Sequence, residues 1–147
     1  MKIALISCVS KKDKDAEHTP VPAYKLYTSA LFRKAYAYAK NHKPDRIYIL
    51  SAKYGLLNEI KKVKAYNQTL NNMSATQRKA WAQTVLNQLQ HEGIDIEKDE
   101  FIILAGRKYR EHLLGPGKIV HYKNVYEENN LHGIGCILKF LSNNVNE

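Results

Sequence analysis

The sequence predicts a three-layer α/β/α fold built on a mainly parallel sheet of four or five strands. Short apolar runs rich in branched and aromatic residues alternate with helix-like segments, which is typical of a parallel sheet with helices on both faces. Three of these runs end abruptly in a polar loop. A length of 147 residues suits one domain with its own core, so we treat residues 1–147 as a single α/β domain.

Four segments have the brief, continuous apolar character of buried strands. A fifth strand is expected between Asn58 and Tyr66. The four predicted strands are Lys2–Ile6, Arg46–Leu50, Phe101–Leu104 and Lys118–Tyr122.

Helix boundaries are predicted from capping residues. Ser29 is a candidate N-cap for a helix from Ala30 to about Asn41. Ser74 and Gln77 match a capping box, and the helix that they begin should run to about Gln90 and end near Gly93. Two shorter helices are predicted at Arg107–Leu114 and Gly133–Leu141.

Composition favours a polyanionic partner. The net charge is +9, from 23 basic and 14 acidic residues, and such a field attracts phosphate-containing small molecules or nucleic acid. No helix-turn-helix, zinc-finger or RNA-recognition signature is visible, and no apolar run is long enough for a membrane span. The apolar stretch at the N-terminus is too short for a signal peptide, so we expect a cytoplasmic protein. Cys8 and Cys136 form neither a disulfide framework nor a metal pair.

The first predicted loop follows strand one, from Ser7 to Lys12. Small hydroxyl residues let a backbone approach a ligand closely, and lysine neutralises a phosphate or carboxylate. Ser7, Ser10 and Lys11 are therefore candidate ligand contacts. The loop lacks the glycines of a Walker motif and the arginine of a phosphatase cysteine loop. A solvated turn with a buried Cys8 is the alternative.

The second predicted loop, Ser51–Leu57, supplies a hydroxyl, a cation, a ring and a glycine. Ser51, Lys53 and Tyr54 are candidate ligand contacts, with the tyrosine ring able to stack on a base or sugar. Gly55 permits a positive φ or a close approach. An ordinary surface position for Tyr54 is an equal alternative.

The third predicted loop begins at Gly106 and leads into a helix. Arg107 is a candidate for a forked contact with an anion, although a helical ion pair with Glu111 would explain it equally simply. Ten tyrosines are spread over the chain. Tyr27 and Tyr109, like Tyr54, lie near the loops and are candidates for stacking.

Acid–base candidates are few. Glu59 follows the second loop and is the preferred general base or electrostatic stabiliser. Cys8 is a candidate nucleophile if a neighbouring lysine lowers its pKa. The six histidines show no metal-ligand spacing, and we expect neither a metal nor another cofactor.

Five strings resemble, in order, domain-of-unknown-function family 6884, a family of small bacterial and phage proteins. In that family an acidic residue often follows the tyrosine where this chain has Asn67. The strings are LISCVSKK (Leu5–Lys12), LYTSALFRKAYAYA (Leu26–Ala39), YILSAKYGLL (Tyr48–Leu57), YNQTLNNMS (Tyr66–Ser74) and LAGRKYREHL (Leu104–Leu113).

The first loop also resembles that of uracil-DNA-glycosylase-like domains in archaeal tRNA-modifying proteins. This resemblance implies a three-layer α/β fold and a ligand the size of a nucleobase or nucleotide. The catalytic aspartate or asparagine motif of the glycosylases is absent, because the chain reads Ser7-Cys8-Val9-Ser10 at that place.

Two main functional hypotheses follow. The first is an enzyme that acts on a nucleotide, nucleoside or nucleic-acid base, by cleavage or exchange of an N-glycosidic bond, with Glu59 stabilising an oxocarbenium-like transition state. The second is a non-catalytic protein that binds a nucleotide or nucleic acid through the same loops. An enzyme that depends on Cys8 is a third possibility.

Overall fold

The computed structural model describes residues 1–7 and 14–144 and shows a mixed α/β fold. Short 3-10 helices lie at Lys14–Glu17 and Leu70–Asn72. The strands are β1 (Lys2–Ser7), β2 (Val21–Pro22), β3 (Arg46–Ser51), β4 (Gly55–Asn58), β5 (Lys62–Val63), β6 (Glu100–Leu104) and β7 (His121–Asn124). The α-helices are α1 (Ala23–Leu26), α2 (Ala30–Asn41), α3 (Ala75–His91), α4 (Arg107–Arg110), α5 (Val125–Glu128) and α6 (Ile134–Asn143).

The main sheet has five strands in the order β4-β3-β1-β6-β7. Strands β3, β1, β6 and β7 are parallel, and β4 is antiparallel to β3. The chain leaves β1 for β3 on one side and returns to β6 on the other. The crevice between the carboxyl ends of β1 and β6 is therefore the topological switch point, where open α/β sheets bind ligands.

The central strand β1 is buried on both faces. Ile3, Ala4, Leu5 and Ile6 are all 0% exposed, and successive side chains of a strand point to opposite faces. Helix α2 packs against β1 and against α6. Burial on both faces explains why the strand sequences are continuously apolar rather than alternating.

The predicted helix starts are confirmed. Ser29 Oγ accepts a hydrogen bond from the Phe32 amide at the start of α2. Ser74 forms the predicted capping box at the start of α3. Gly93 has φ +81°, the left-handed conformation expected just beyond a helix.

The fifth strand is not in the predicted place. It is β4, which begins at Gly55 inside the predicted second loop and pairs with β3 as a hairpin. The short β5 within the expected range pairs instead with β2. The second loop is therefore reduced to a turn of three residues, Ala52–Tyr54, because Gly55 at φ +72° turns the chain directly back.

The last strand begins three residues later than predicted. Ile119 instead forms an isolated bridge with Leu114: the Gly115 amide donates to the Ile119 carbonyl, and the Ile119 amide donates to the Leu113 carbonyl. These bonds occupy the backbone of Ile119, so pairing with β6 begins only at His121. Helix α4 likewise ends at Arg110 rather than Leu114.

Among the described residues, no helix has both the length and the apolar character that a membrane crossing needs.

Candidate ligand-binding site

A cavity of about 640 Å³ opens at the carboxyl ends of β1 and β6. Its volume suits a ligand of metabolite size. The Gly106 amide donates to Ser7 Oγ over 3.2 Å, which joins the two strand ends beneath the cavity. The described lining residues are Ser7, Leu31, Asn67, Gln68, Thr69, Asn71, Gly106, Arg107, Lys108, Tyr109, Tyr126, Ile134 and Ile137.

One side of the cavity is cationic. Arg107 and Lys108 are both exposed, and 84% of the Arg107 side chain is accessible to solvent. Arg107 Nε lies 3.5 Å from Glu111 Oε2, so the helical ion pair considered above is present. An exposed pair of this kind is weak, so Arg107 remains able to contact an anion in the cavity.

A second group of lining residues carries side-chain amides. Asn67, Gln68 and Asn71 are exposed, and each side-chain amide both donates and accepts hydrogen bonds. Thr69 Oγ1 accepts a hydrogen bond from the backbone amide of Asn71 over 3.3 Å, and the neighbouring Leu70 is 0% exposed. The buried leucine and the threonine cap fix the backbone that carries these side-chain amides. We call residues 67–71 the amide wall.

Two tyrosines contribute the aromatic part of the lining. Tyr109 is 9% exposed, and its ring lies edge-to-face with Trp81 at 5.6 Å between centroids. Tyr109 is therefore a fixed part of the cavity rather than an open stacking surface. Tyr126 is 5% exposed, and burial raises the pKa of its phenol, so the hydroxyl is neutral near neutral pH.

A series of hydrogen-bonded, buried hydroxyl groups fixes the residue that precedes the amide wall. Ser51 Oγ donates to the Tyr66 hydroxyl over 2.8 Å, and a 2.6 Å hydrogen bond joins the hydroxyls of Tyr66 and Tyr27. Ser51 is 0% and Tyr27 is 1% exposed. These two predicted ligand contacts therefore lie in the core, where they fix Tyr66 directly before Asn67.

The predicted contacts Lys53, Tyr54 and Gly55 lie beside the cavity but do not line it. The Tyr54 ring is edge-to-face with Tyr66 at 5.6 Å, and Lys53 Nζ lies over the Tyr54 ring at 5.2 Å from its centroid. Gly55 is buried at the start of β4. Tyr54 is half-buried, so part of its ring is open to solvent.

The structure does not bring Glu59 to this site. Strand β4 returns antiparallel to β3, with Asn58 opposite Tyr48, so Glu59 lies toward the amino end of β3. Its carboxylate accepts a 2.5 Å hydrogen bond from the Tyr36 hydroxyl. Burial and this bond raise the pKa of Tyr36. Glu59 does not reach the cavity because a hairpin, rather than a loop, follows β3, and its catalytic role stays a prediction.

Cys8, Ser10 and Lys11 lie outside the described residues. Of the other predicted contacts, Ser7, Arg107 and Tyr109 line one cavity together. Within the described part of the chain, no three His, Cys, Asp or Glu residues are grouped so that they could hold a metal ion.

The amide wall and Tyr126 were not predicted as site residues. A usable signal was present, because Asn67, Gln68, Thr69, Asn71 and Asn72 form a nearly continuous amide and hydroxyl run in the middle of the chain. Nothing in the sequence placed this run in one cavity with Arg107, since no strand precedes it directly.

The model of a family of unknown function, DUF6884, matches residues 3–143 of this chain. No curated protein matches this chain.

Proposed function

Because the chain belongs to the DUF6884 family of unknown function, we propose its function from the cavity itself: the protein binds a nucleotide or a nucleoside phosphate. The supporting observation is that the cavity at the switch point is lined by both cations and side-chain amides. Ligands of this kind combine a phosphate with a planar base, and these two kinds of side chain match the two parts.

In this proposal the phosphate contacts Arg107 and Lys108, since guanidinium and ammonium groups bind phosphate oxygens by charge-assisted hydrogen bonds. The base contacts Asn67, Gln68 or Asn71, whose amides pair with the donor and acceptor edges of a nucleobase. Tyr126 and the apolar lining residues exclude water from the ring faces.

Cleavage or exchange of an N-glycosidic bond stays a prediction for the same cavity. The described lining residues of the cavity include no carboxylate, and Glu59 lies toward the amino ends of the parallel strands, away from the cavity. We therefore propose ligand binding as the main function and catalytic turnover as the second candidate. The three-layer arrangement, the glycosylase-like relationship and a cytoplasmic location belong to the same proposal, with burial on both faces of β1 supporting the first of them.

Isothermal titration calorimetry with the common nucleoside monophosphates, and with inorganic phosphate alone, tests the binding proposal. Arg107→Gln should weaken nucleotide binding about tenfold or more, because it removes a charge-assisted contact. Asn67→Ala should change the preference among bases. Arg33→Gln, on an exposed position of α2 outside the cavity, is the matched control and should bind as the wild type does. Unchanged affinity in both cavity variants would refute the proposal.

Turnover is measured separately, as release of free base from each nucleotide by mass spectrometry. If Glu59 acts in catalysis, Glu59→Gln should lose turnover and keep affinity. Equal turnover in wild type and Glu59→Gln would remove Glu59 from the mechanism.

A further inference from the structure

Charge is distributed unevenly along this chain. Residues 60–91 contain Lys61, Lys62, Lys64, Arg78 and Lys79 but none of the 14 acidic residues. Carboxylates gather instead near the amino ends of the parallel strands, where the described structure places Asp45, Glu92, Asp99 and Glu100. A polyanion therefore meets attraction along the first part of residues 60–91, whereas the acids at the amino ends share that region with Lys2, Arg46 and the terminal amine of Met1.

Three of these cations form a lysine track (Lys61, Lys62 and Lys64) that leads to the cavity. All three side chains are exposed. The chain continues from Lys64 through Ala65 and the buried Tyr66 directly into the amide wall at Asn67. The ion pairs among the described residues involve none of the three lysines.

Two carboxylates flank the lysine track. Glu59 accepts the hydrogen bond from Tyr36. Glu17 is exposed and follows Ala16, whose carbonyl accepts from the Ala65 amide. Glu59 and Ile60 also line a cavity with Asp45, Arg46 and Glu92, so the excess positive charge of the track lies toward Lys62 and Lys64.

Half-buried tyrosines accompany the track. The Ala23 amide donates to the Lys61 carbonyl over 2.9 Å, which places Tyr24 next to Lys61. At the other end, Tyr54 contacts Tyr66. Lysine ammonium groups lie over both half-buried rings, Lys25 over Tyr24 at 5.7 Å and Lys53 over Tyr54 at 5.2 Å, and the Tyr24 ring is also stacked on Tyr36 at 5.9 Å. Cations interleaved with partly exposed rings are the arrangement that binds single strands, through phosphates and stacked bases.

From this arrangement we infer that the ligand is single-stranded nucleic acid, with one nucleotide in the cavity and the neighbouring phosphates along the lysine track. This inference rests on the proposed function and names its ligand class. The base next to the bound nucleotide stacks on Tyr54, since the Tyr24 ring is already stacked on Tyr36. A duplex does not fit this arrangement, because its bases are already stacked on each other and cannot reach the rings.

The test uses fluorescence anisotropy with a labelled single-stranded oligonucleotide of about eight nucleotides, at several salt concentrations. The variant Lys61→Gln, Lys62→Gln, Lys64→Gln should bind it more weakly and reduce the slope of log affinity against log salt by about 2, since each lost phosphate contact contributes ~0.7. Its affinity for a nucleoside monophosphate should stay unchanged. Tyr54→Leu should weaken the oligonucleotide about tenfold.

The matched control is Lys98→Gln, Lys118→Gln, Lys123→Gln. It removes the same charge, and its last two substitutions lie at or next to β7, the edge strand farthest from β4. This variant should keep most of the oligonucleotide affinity and salt slope. Equal weakening by both triple variants would overturn the inference, because it would show a general charge effect.

Two further outcomes overturn it in other ways. An oligonucleotide that binds no more tightly than a monophosphate would leave a free nucleotide as the ligand and the proposed function intact. Equal binding of a duplex would exclude the stacking arrangement. If neither a monophosphate nor an oligonucleotide binds, the proposed function fails together with the inference.

Discussion

Gly55 shows how one residue positions the turn beside the cavity. It has φ +72°, and a Cβ atom built there would lie 2.4 Å from Gln88 Oε1. That amide group holds the hairpin: Gln88 Oε1 accepts from the Leu56 amide over 2.8 Å, and Gln88 Nε2 donates to the Tyr54 carbonyl over 3.2 Å. A side chain at position 55 would displace Gln88 and break both bonds.

We expect Gly55→Ala to lower the free energy of unfolding by about 2–3 kcal/mol, from backbone strain and the two lost hydrogen bonds. Gly93→Ala is the control for strain alone, since Gly93 has φ +81° and no atom within 4 Å of its Cβ position, and it should cost about 1 kcal/mol. Urea denaturation measures both. Adding Gln88→Ala to Gly55→Ala should cost less than the sum of the single changes, and strict additivity would contradict the account.

Tyr126 makes stability depend on alkaline pH. Burial raises the pKa of its phenol above the ordinary value near 10, so its contribution is complete below about pH 10 and is lost as pH rises toward the raised value. The free energy of unfolding of the wild type should therefore fall more steeply above about pH 10 than that of Tyr126→Phe. Tyr122→Phe, exposed on β7, should follow the wild-type curve. Identical slopes for all three proteins would contradict this.

At the scale of elements, α3 links the capping residues to the cavity. Its Trp81 donates through Nε1 to the Ser51 carbonyl over 2.9 Å and holds the Tyr109 ring. The capping box at Ser74 fixes where this helix begins, because the Gln77 amide donates to Ser74 Oγ and the Ser74 amide donates to Gln77 Oε1. Local sequence at the cap therefore sets the position of a tyrosine in the site.

Ser74→Ala should lower the free energy of unfolding by about 1 kcal/mol, the usual value of an N-cap hydroxyl. Thr84→Ala removes an exposed hydroxyl from the interior of the same helix and should change it by less than about 0.5 kcal/mol. A double-mutant cycle with Gln77→Ala, measured by thermal unfolding, should show coupling between positions 74 and 77. Independent effects would contradict a reciprocal cap.

Elements with strong local signals were predictable from the sequence. Ser29 and Ser74 each carry an N-cap signal, and Gly93 marks a helix end. The β3–β4 hairpin was missed because Ser51–Leu57 was interpreted as one loop, and a glycine that permits a positive φ does not by itself show that the chain reverses there. The start of β7 depends on the hydrogen bonds of Ile119 with residues 113–115. Neither capping residues nor hydrophobic periodicity predicts such bonds.

At the scale of the whole molecule, parallel strands place distant loops at one sheet edge, and this principle predicted part of the site. It brought Ser7 and Arg107 together correctly, because Ser7 ends β1 and Arg107 follows β6, its parallel neighbour in the sheet. It could not find the amide wall, which is held by buried hydroxyls of Tyr66 and Ser51 rather than by a strand end. It misplaced Glu59, because β4 is antiparallel.

The hydrogen bond between Ser7 and Gly106 spans 99 positions of the chain. On the ribosome, one side of the cavity emerges early, while Arg107, Tyr126 and Ile137 follow only after most of the domain has been translated. A nascent chain therefore has no complete cavity, and its cognate molecule cannot assist the early steps of folding. Only a chain that has been translated at least as far as Ile137 can bind the ligand in a complete cavity.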